Sequence, residues 1–283
     1  MSYTLTSSDV NPGDDTLASD YNTLRADLLN HDHDGTNSPF INIGGTGADG
    51  ALNVTSGTTA LDAAGAAVLV KNYTSINVSL GATLTISNPH DNGTILVLLS
   101  QGNVTIDGTV DLDSMGAVGG SSDADDGNEA TTYLFPVTGG EGASANRIGG
   151  VAGASTIFNK IVLGKDVKVQ CGSGGGSSTD SVDSTRGDGG RGGGALYIEC
   201  NGAWDFTGTI TADGASGTDG GDNTGANSGT SGGGGGGAGG SVVAIYRTLT
   251  ADSGTYSLDG GDGGDGGNGS AGTSGSDGYG AGS

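Results

Sequence analysis

The chain has 283 residues, of which 62 are glycine, and it carries a net charge of −23 with only 9 lysine and arginine residues. Because nucleic acids and anionic membranes are bound mainly through cationic side chains, this charge argues against both as partners. Glycine at about three times its usual ~7% share carries a large entropy cost, which hydrogen bonds between neighbouring extended segments are expected to offset.

The N-terminus, MSYTLTSSDVNPGDD, has neither the basic start nor the apolar stretch of a signal peptide. No window reaches the ~18–20 apolar residues of a membrane span, so we expect no membrane insertion. The two cysteines are Cys171 and Cys200. Two buried thiols are the expected state, with a disulfide bond as the alternative.

The segment DDTLASDYNTLRADLLNHDHDG predicts one short helix, capped by Asp14 or Asp15. Its apolar residues are spaced four, three and four apart, which is typical of a coiled-coil seam; they are Leu17, Tyr21, Leu24 and Leu28. His31 occupies the next seam position. Two heptads are unstable alone, so we expect several copies to associate. The alternative is an amphipathic helix packed on its own domain.

Residues 36–75 are low in charge and rich in small side chains, and they predict a connector with short extended pieces. From residue 76 onward, segments such as SINVSLGATLTIS and TILVLLS alternate or run apolar with β-branched residues, which predicts strands. The predicted domains are therefore an N-terminal helix (1–35), a connector (36–75) and a glycine-rich β-repeat domain (76–283).

Three segments repeat without a gap: GTILVLLSQGNVTIDGTVDLDS, GGALYIECNGAWDFTGTITADG and GGSVVAIYRTLTADSGTYSLDG. The matched positions are an opening glycine, a Gly-Thr step and an aspartate. They are Gly93, Gly193 and Gly239; Gly108, Gly208 and Gly254; and Asp113, Asp213 and Asp259. The aspartates are expected to cap turns rather than to act as catalytic carboxylates. Units this small cannot bury an apolar face alone, so we expect them to stack into a solenoid or a layered β-structure.

A glycine-rich tract follows each copy, and glycine recurs there at every third residue, as at Gly260, Gly263 and Gly266. This period predicts extended helices with three residues per turn, packed side by side. The predicted fold class is mainly β: a short N-terminal coiled-coil helix, then repeated β-strand units with packed polyglycine-II-type helices.

The sequence shows no arrangement of serine, cysteine or histidine that suggests a nucleophile, and no phosphate-binding loop, so we expect a non-enzymatic protein. The acidic segment DADDGNE is expected to be a solvated loop, with a cation site as the alternative. Trp204 and Phe206 match Val104 and Ile106 in the first repeat, which favours core packing over a ligand platform.

The segment LASDYNTLRADLLNHDHDG is similar to N-terminal segments of bacteriophage tail-fibre and receptor-binding proteins. The glycine-rich tracts resemble the polyglycine bundle of tail-fibre adhesins from T-even-like phages, in which loops at the bundle tip contact the host receptor. This resemblance implies a virion protein that attaches the particle to the host surface through a protein or glycan receptor. It also implies that the N-terminal helix (1–35) serves attachment and trimerisation, and that the protein assembles in the host cytoplasm beside other tail proteins. The alternative is a structural subunit of an extracellular filament, fibre shaft or capsid decoration without a receptor of its own.

His31-Asp32-His33 matches the His-x-His motif with which trimeric phage fibres hold iron on their threefold axis. The resemblance implies that three copies of His31 and His33 supply six imidazoles to Fe²⁺ or a similar first-row ion. Without a metal, both histidines are expected to lie in water. Receptor contact is expected at loop tips, with Tyr133 and Phe135 as aromatic anchors and Tyr279 as a further candidate.

Overall fold

The computed structural model describes residues 43–120, 157–162, 165–178, 187–221, 232–267, 274 and 276–277. These residues form strands and turns, and no helix among them is long and apolar enough to cross a membrane. The strands are β1 (Ala51–Val54), β2 (Gly57–Asp62), β3 (Val68–Tyr73), β4 (Ser75–Val78), β5 (Ala82–Ser87), β6 (Ile95–Ser100), β7 (Val104–Ile106), β8 (Thr109–Asp111), β9 (Ile157–Val162), β10 (Lys165–Gln170), β11 (Ala195–Phe206), β12 (Thr209–Thr211), β13 (Ser241–Asp252) and β14 (Thr255–Ser257).

Two parallel sheets form the body of the protein. The 7-stranded sheet has the order β1-β4-β7-β11-β6-β3, with β13 paired to β11, and the 5-stranded sheet has the order β14-β12-β8-β5-β2. The long strand β11 pairs with β6 along its first half and with β7 along its second half. The remaining strands, β9 and β10, form a separate antiparallel hairpin.

The burial of each strand follows its sequence pattern. In β5 (ATLTIS) apolar and polar residues alternate, and only the apolar ones are fully buried. In β6 (ILVLLS) an apolar run is buried on both faces, because two cores lie against it. One core is shared by the two sheets, and the other lies between the 7-stranded sheet and the β9–β10 hairpin.

The three sequence repeats lie side by side in register. Ala195 pairs with Ile95 on one side and with Ser241 on the other. In the 5-stranded sheet, Thr209 lies between Thr109 and Thr255 in the same way. The residues predicted as a connector, 36–75, contribute β1, β2 and β3 to the same two sheets.

The predicted fold class is wrong. The described residues contain no helix, and their strands form parallel sheets with a half-barrel curl, as in α/β proteins, rather than a coiled coil followed by a β-solenoid. Strand repeats specify which residues pair, whereas the curl of a sheet depends on its twist and on the side chains packed against it. The helix predicted within residues 14–35 lies outside the described residues.

Candidate functional site

The glycine-rich segments form a layer beside the sheets, which we call the glycine layer. It consists of residues 116–120, 172–178, 187–193, 214–220, 232–240 and 259–265. Each segment directly follows or precedes a strand of the sheets or of the hairpin. All of the segments are therefore anchored at one end, which we call the near end, and the opposite end is the far end.

Backbone hydrogen bonds connect neighbouring segments of the glycine layer at every third residue. In one antiparallel pair the N–H groups of Gly172, Gly175 and Ser178 donate to the carbonyls of Gly193, Gly190 and Gly187, with N···O distances of 2.8, 2.8 and 2.9 Å. The same spacing continues between segment 187–193 and segment 232–240. The backbone polar groups of these buried segments thus bond to one another instead of to water.

Glycine is required in this layer because the backbones approach one another closely. A Cβ atom on Gly190 would lie 1.9 Å from the carbonyl oxygen of Ala215, and one on Gly193 would lie 1.9 Å from that of Ala212. Both distances are far below any normal contact. Among the described residues, the glycines with positive φ lie elsewhere, between Gly44 and Gly93. The layer therefore selects glycine for its missing side chain and not for left-handed backbone conformations.

The chain enters and leaves the layer repeatedly at the far end. Ser178 and Gly187 are hydrogen-bonded to each other there, and Gly187 donates to Gly232. Segments 172–178 and 214–220 thus run toward the far end, and segments 187–193 and 232–240 run away from it. The first segment also ends at this side, since Gly120 N–H donates to Gly175 O at 2.8 Å. The layer thus brings the ends of several segments together at one end of the protein.

Aspartates line the described part of the far end. Asp188 N–H donates to Thr218 Oγ1 at 2.7 Å, and Asp265 N–H donates to Asp219 Oδ1 at 2.7 Å. These contacts hold the ends of three segments together. Within the described residues no group of His, Cys, Asp and Glu has the arrangement of a metal site.

The repeated aspartates lie at the near end, where they connect successive repeats. Asp213 N–H donates to Asp113 Oδ1 at 2.7 Å, and Asp259 N–H donates to Asp213 Oδ1 at 2.7 Å. Burial raises the pKa of Asp113 above its usual range, although the hydrogen bond from Asp213 opposes this shift. The arrangement is a ladder of turn-capping carboxylates that lies between adjacent repeats.

The glycines of the Gly-Thr steps allow the turns of adjacent repeats to stack closely. A Cβ on Gly208 would lie 2.0 Å from the carbonyl oxygen of Gly108, and one on Gly254 would lie 2.4 Å from the ring of Phe206. The opening glycines of the repeats differ among themselves. Gly93 has a φ of 86°. Gly239 instead lies close to another segment, since a Cβ built on it would be 2.1 Å from the carbonyl oxygen of Leu258.

The candidate metal and receptor residues are not among those the structure places. His31 and His33, the aromatic pair Tyr133 and Phe135, and Tyr279 all lie outside the described residues. Their roles stay predictions. The acidic segment DADDGNE also lies outside them.

The two cysteines are free thiols, and each is completely buried. Burial raises the pKa of both Cys171 and Cys200, so neither is a reactive thiolate. Trp204 and Phe206 are also completely buried, and their ring centroids lie 6.0 Å apart in the core shared by the two sheets.

Sequence reasoning missed a buried polar cluster on β11. Glu199, with no exposed surface, accepts hydrogen bonds from Tyr197 Oη at 2.6 Å and from Gly44 N–H at 2.9 Å, and it forms an ion pair with Lys160. Burial raises the pKa of Tyr197, and its hydrogen bond to Glu199 adds to this effect. The cluster connects the hairpin and the segment before β1 to the 7-stranded sheet. Its sequence signal is the single carboxylate in the apolar strand ALYIEC.

Family models, curated proteins and solved structures were compared with the chain, and none of them matches it. The candidate site is thus defined by the geometry of the glycine layer and its far end.

Proposed function

We propose that the chain is a non-enzymatic virion tail-fibre or tail-tip protein that attaches the particle to the host cell surface. The observation that carries this proposal is the construction of the glycine layer. Its segments are anchored at the near end, bonded to one another every third residue, and interrupted at the far end. Such a layer holds the ends of its segments in place mainly through backbone hydrogen bonds, which suits a binding surface on a rigid support.

The net charge of −23 repels nucleic acids and anionic membranes, so it favours a protein or glycan as the molecule to which the chain attaches. In this proposal Tyr133 and Phe135 contact a protein or glycan receptor, with Tyr279 as a further contact. The resemblance of the His31-Asp32-His33 segment to phage fibres adds a homotrimer with an iron ion on its axis to the proposal. The protein is assembled in the host cytoplasm with other tail proteins and is carried on the virion.

Adsorption of the labelled protein to host bacteria tests the proposal. The double variant Tyr133→Ala/Phe135→Ala should lose adsorption, because aromatic anchors commonly dominate binding energy. The matched control is Val70→Ala/Leu80→Ala, which truncates one exposed apolar side chain on β3 and one on the turn between β4 and β5 and should adsorb normally. Adsorption by the aromatic double variant at the wild-type level would refute this receptor site.

Gold-labelled antibodies against the protein, applied to whole particles, distinguish an attachment protein from a structural subunit without a receptor. Labels at a tail tip, with adsorption, support attachment. Labels spaced along a shaft or over a capsid, together with no binding to cells, would instead identify a structural subunit.

A further inference from the structure

None of the described strands covers the core shared by the two sheets at one of its ends. Leu249 of β13 is in register with Trp204 of β11, which is in register with Val104 of β7. Val104 and Trp204 have no exposed surface, whereas Leu249 is 51% exposed. The same inward-facing position is thus buried in two successive strands and open in the last one.

The 5-stranded sheet shows the same change at its own last strand. Tyr256 of β14 is in register with Ile210 of β12, and Ile210 is in register with Val110 of β8. Val110 and Ile210 are completely buried, but Tyr256 is 38% exposed. The exposed apolar surface therefore extends across the ends of both sheets. We call the surface formed by β13 and β14 the open end.

Aromatic rings continue the core up to this surface. Tyr246, 38% exposed, stacks on the fully buried Trp204 with an interplanar angle of 11° and a centroid distance of 6.2 Å. Tyr256 lies against Phe206 with ring centroids 4.8 Å apart. In each pair the inner ring is covered and the outer ring is partly exposed to solvent.

The open end also presents unpaired strand edges of low charge. Among the described strands, none pairs with the outer edge of β13, which is 12 residues long, or with that of β14. Residues 241–258 contain one arginine and one aspartate, Arg247 and Asp252, and so have no net charge. In a chain with a net charge of −23, two copies can join through this surface without bringing like charges into direct contact.

We propose that the open end docks on the open end of a second copy of this chain. A strand of this length extends about 40 Å at ~3.3 Å per residue, and the two sheets lie about 10 Å apart. With its side chains, the surface is on the order of 600 Å² in each copy. The total of about 1,200 Å² reaches the lower limit of specific protein interfaces. A twofold axis makes the contact self-complementary and brings the β13 edges of the two copies together.

The molar mass in solution tests this proposal, measured by light scattering at about 50 µM. Leu249→Asp places a charge on the open end, and Leu80→Asp is the matched control, since Leu80 is 85% exposed on the turn between β4 and β5. The wild type and Leu80→Asp should both have a higher molar mass than Leu249→Asp, and the ratio is two where the N-terminal residues form no oligomer of their own. Equal masses for the wild type and Leu249→Asp would overturn the proposal.

Disulfide trapping gives a second measurement that does not depend on the stability of Leu249→Asp. Thr250→Cys on β13 should form a covalent dimer under mild oxidation, whereas Thr58→Cys on β2, at the opposite end of the 5-stranded sheet, should not. A covalent dimer that forms only when the two variants are mixed would show head-to-tail stacking and would overturn the twofold contact. The proposal stands independently of the attachment function.

Discussion

Replacing Gly190 with alanine tests the physical basis of the glycine layer. The new Cβ would lie 1.9 Å from Ala215 O and 2.8 Å from Gly237 N, so the segments carrying these atoms must move until both contacts exceed about 3 Å. Three hydrogen bonds converge at this point, with N···O distances of 2.7–2.9 Å. They are donated by Gly190, Gly237 and Ala215 to the carbonyl groups of Gly235, Ala215 and Arg191.

The expected loss follows from those three bonds. At a net contribution of about 1 kcal/mol each, distortion of the three bonds costs about 3 kcal/mol. Alanine also lowers the entropy of the unfolded chain, which favours the folded state by about 0.5–1 kcal/mol and offsets part of this cost. We therefore expect Gly190→Ala to lower the free energy of unfolding by about 2 kcal/mol or more. The assay is chemical denaturation, with the midpoint and slope fitted together.

Gly81→Ala is the control for backbone conformation. No atom lies within 4 Å of a Cβ built at Gly81, but its φ of 79° is unfavourable for alanine. This variant should lose only about 1 kcal/mol, because it adds strain without a collision. A loss for Gly190→Ala equal to or smaller than that for Gly81→Ala would refute the view that close approach of backbones explains the glycine content.

Three further predictions concern buried or partly buried polar groups. Glu199→Gln should lower the free energy of unfolding by about 2 kcal/mol, because it leaves Lys160 without its carboxylate; the double variant with Lys160→Met should recover part of this loss in the same denaturation assay. Asp113 has a raised pKa in the folded state, so its ionisation destabilises the fold as the pH rises from below ~3.9 through the folded pKa. Asp113→Asn should accordingly become more stable relative to the wild type as the pH is raised from about 3 to about 6 in urea titrations, and a difference that is constant with pH would contradict this. Cys171 and Cys200 are fully buried and should react with a thiol reagent only after unfolding; rapid labelling of the native protein would contradict their burial.

The pairing of the repeats could be predicted from the sequence, because residues that pair in register occupy equivalent positions of the repeat. Ile95, Ala195 and Ser241 are aligned by the three-copy repeat, and the structure pairs the same three positions. Inward-facing residues must be apolar in every copy, and turn residues must be able to stack on their equivalents. Those two requirements make equivalent positions similar enough to be detected.

The curl of the sheets and the packing of the hairpin could not be predicted from the sequence in this way. Glu199 lies in a strand that matches the repeat, yet its partners Lys160 and Gly44 come from segments without repeated features. Contacts of this kind depend on where the hairpin and the segment before β1 pack against the sheet. The local sequence pattern of a strand does not specify that position. The shape of the sheets likewise depends on large core side chains such as Trp204, which replaces Val104 at the equivalent position.

The three-residue spacing of hydrogen bonds in the glycine layer sets a rule for how the protein can change in length. An insertion of three residues within a segment preserves every bond beyond it, whereas an insertion of one or two displaces the donors and carbonyls of the segment from those of its neighbours. Because an extended chain advances about 3 Å per residue, the layer can lengthen in steps of about 9 Å. The reach of the far end is therefore adjustable in discrete units while the sheets that anchor the layer stay the same.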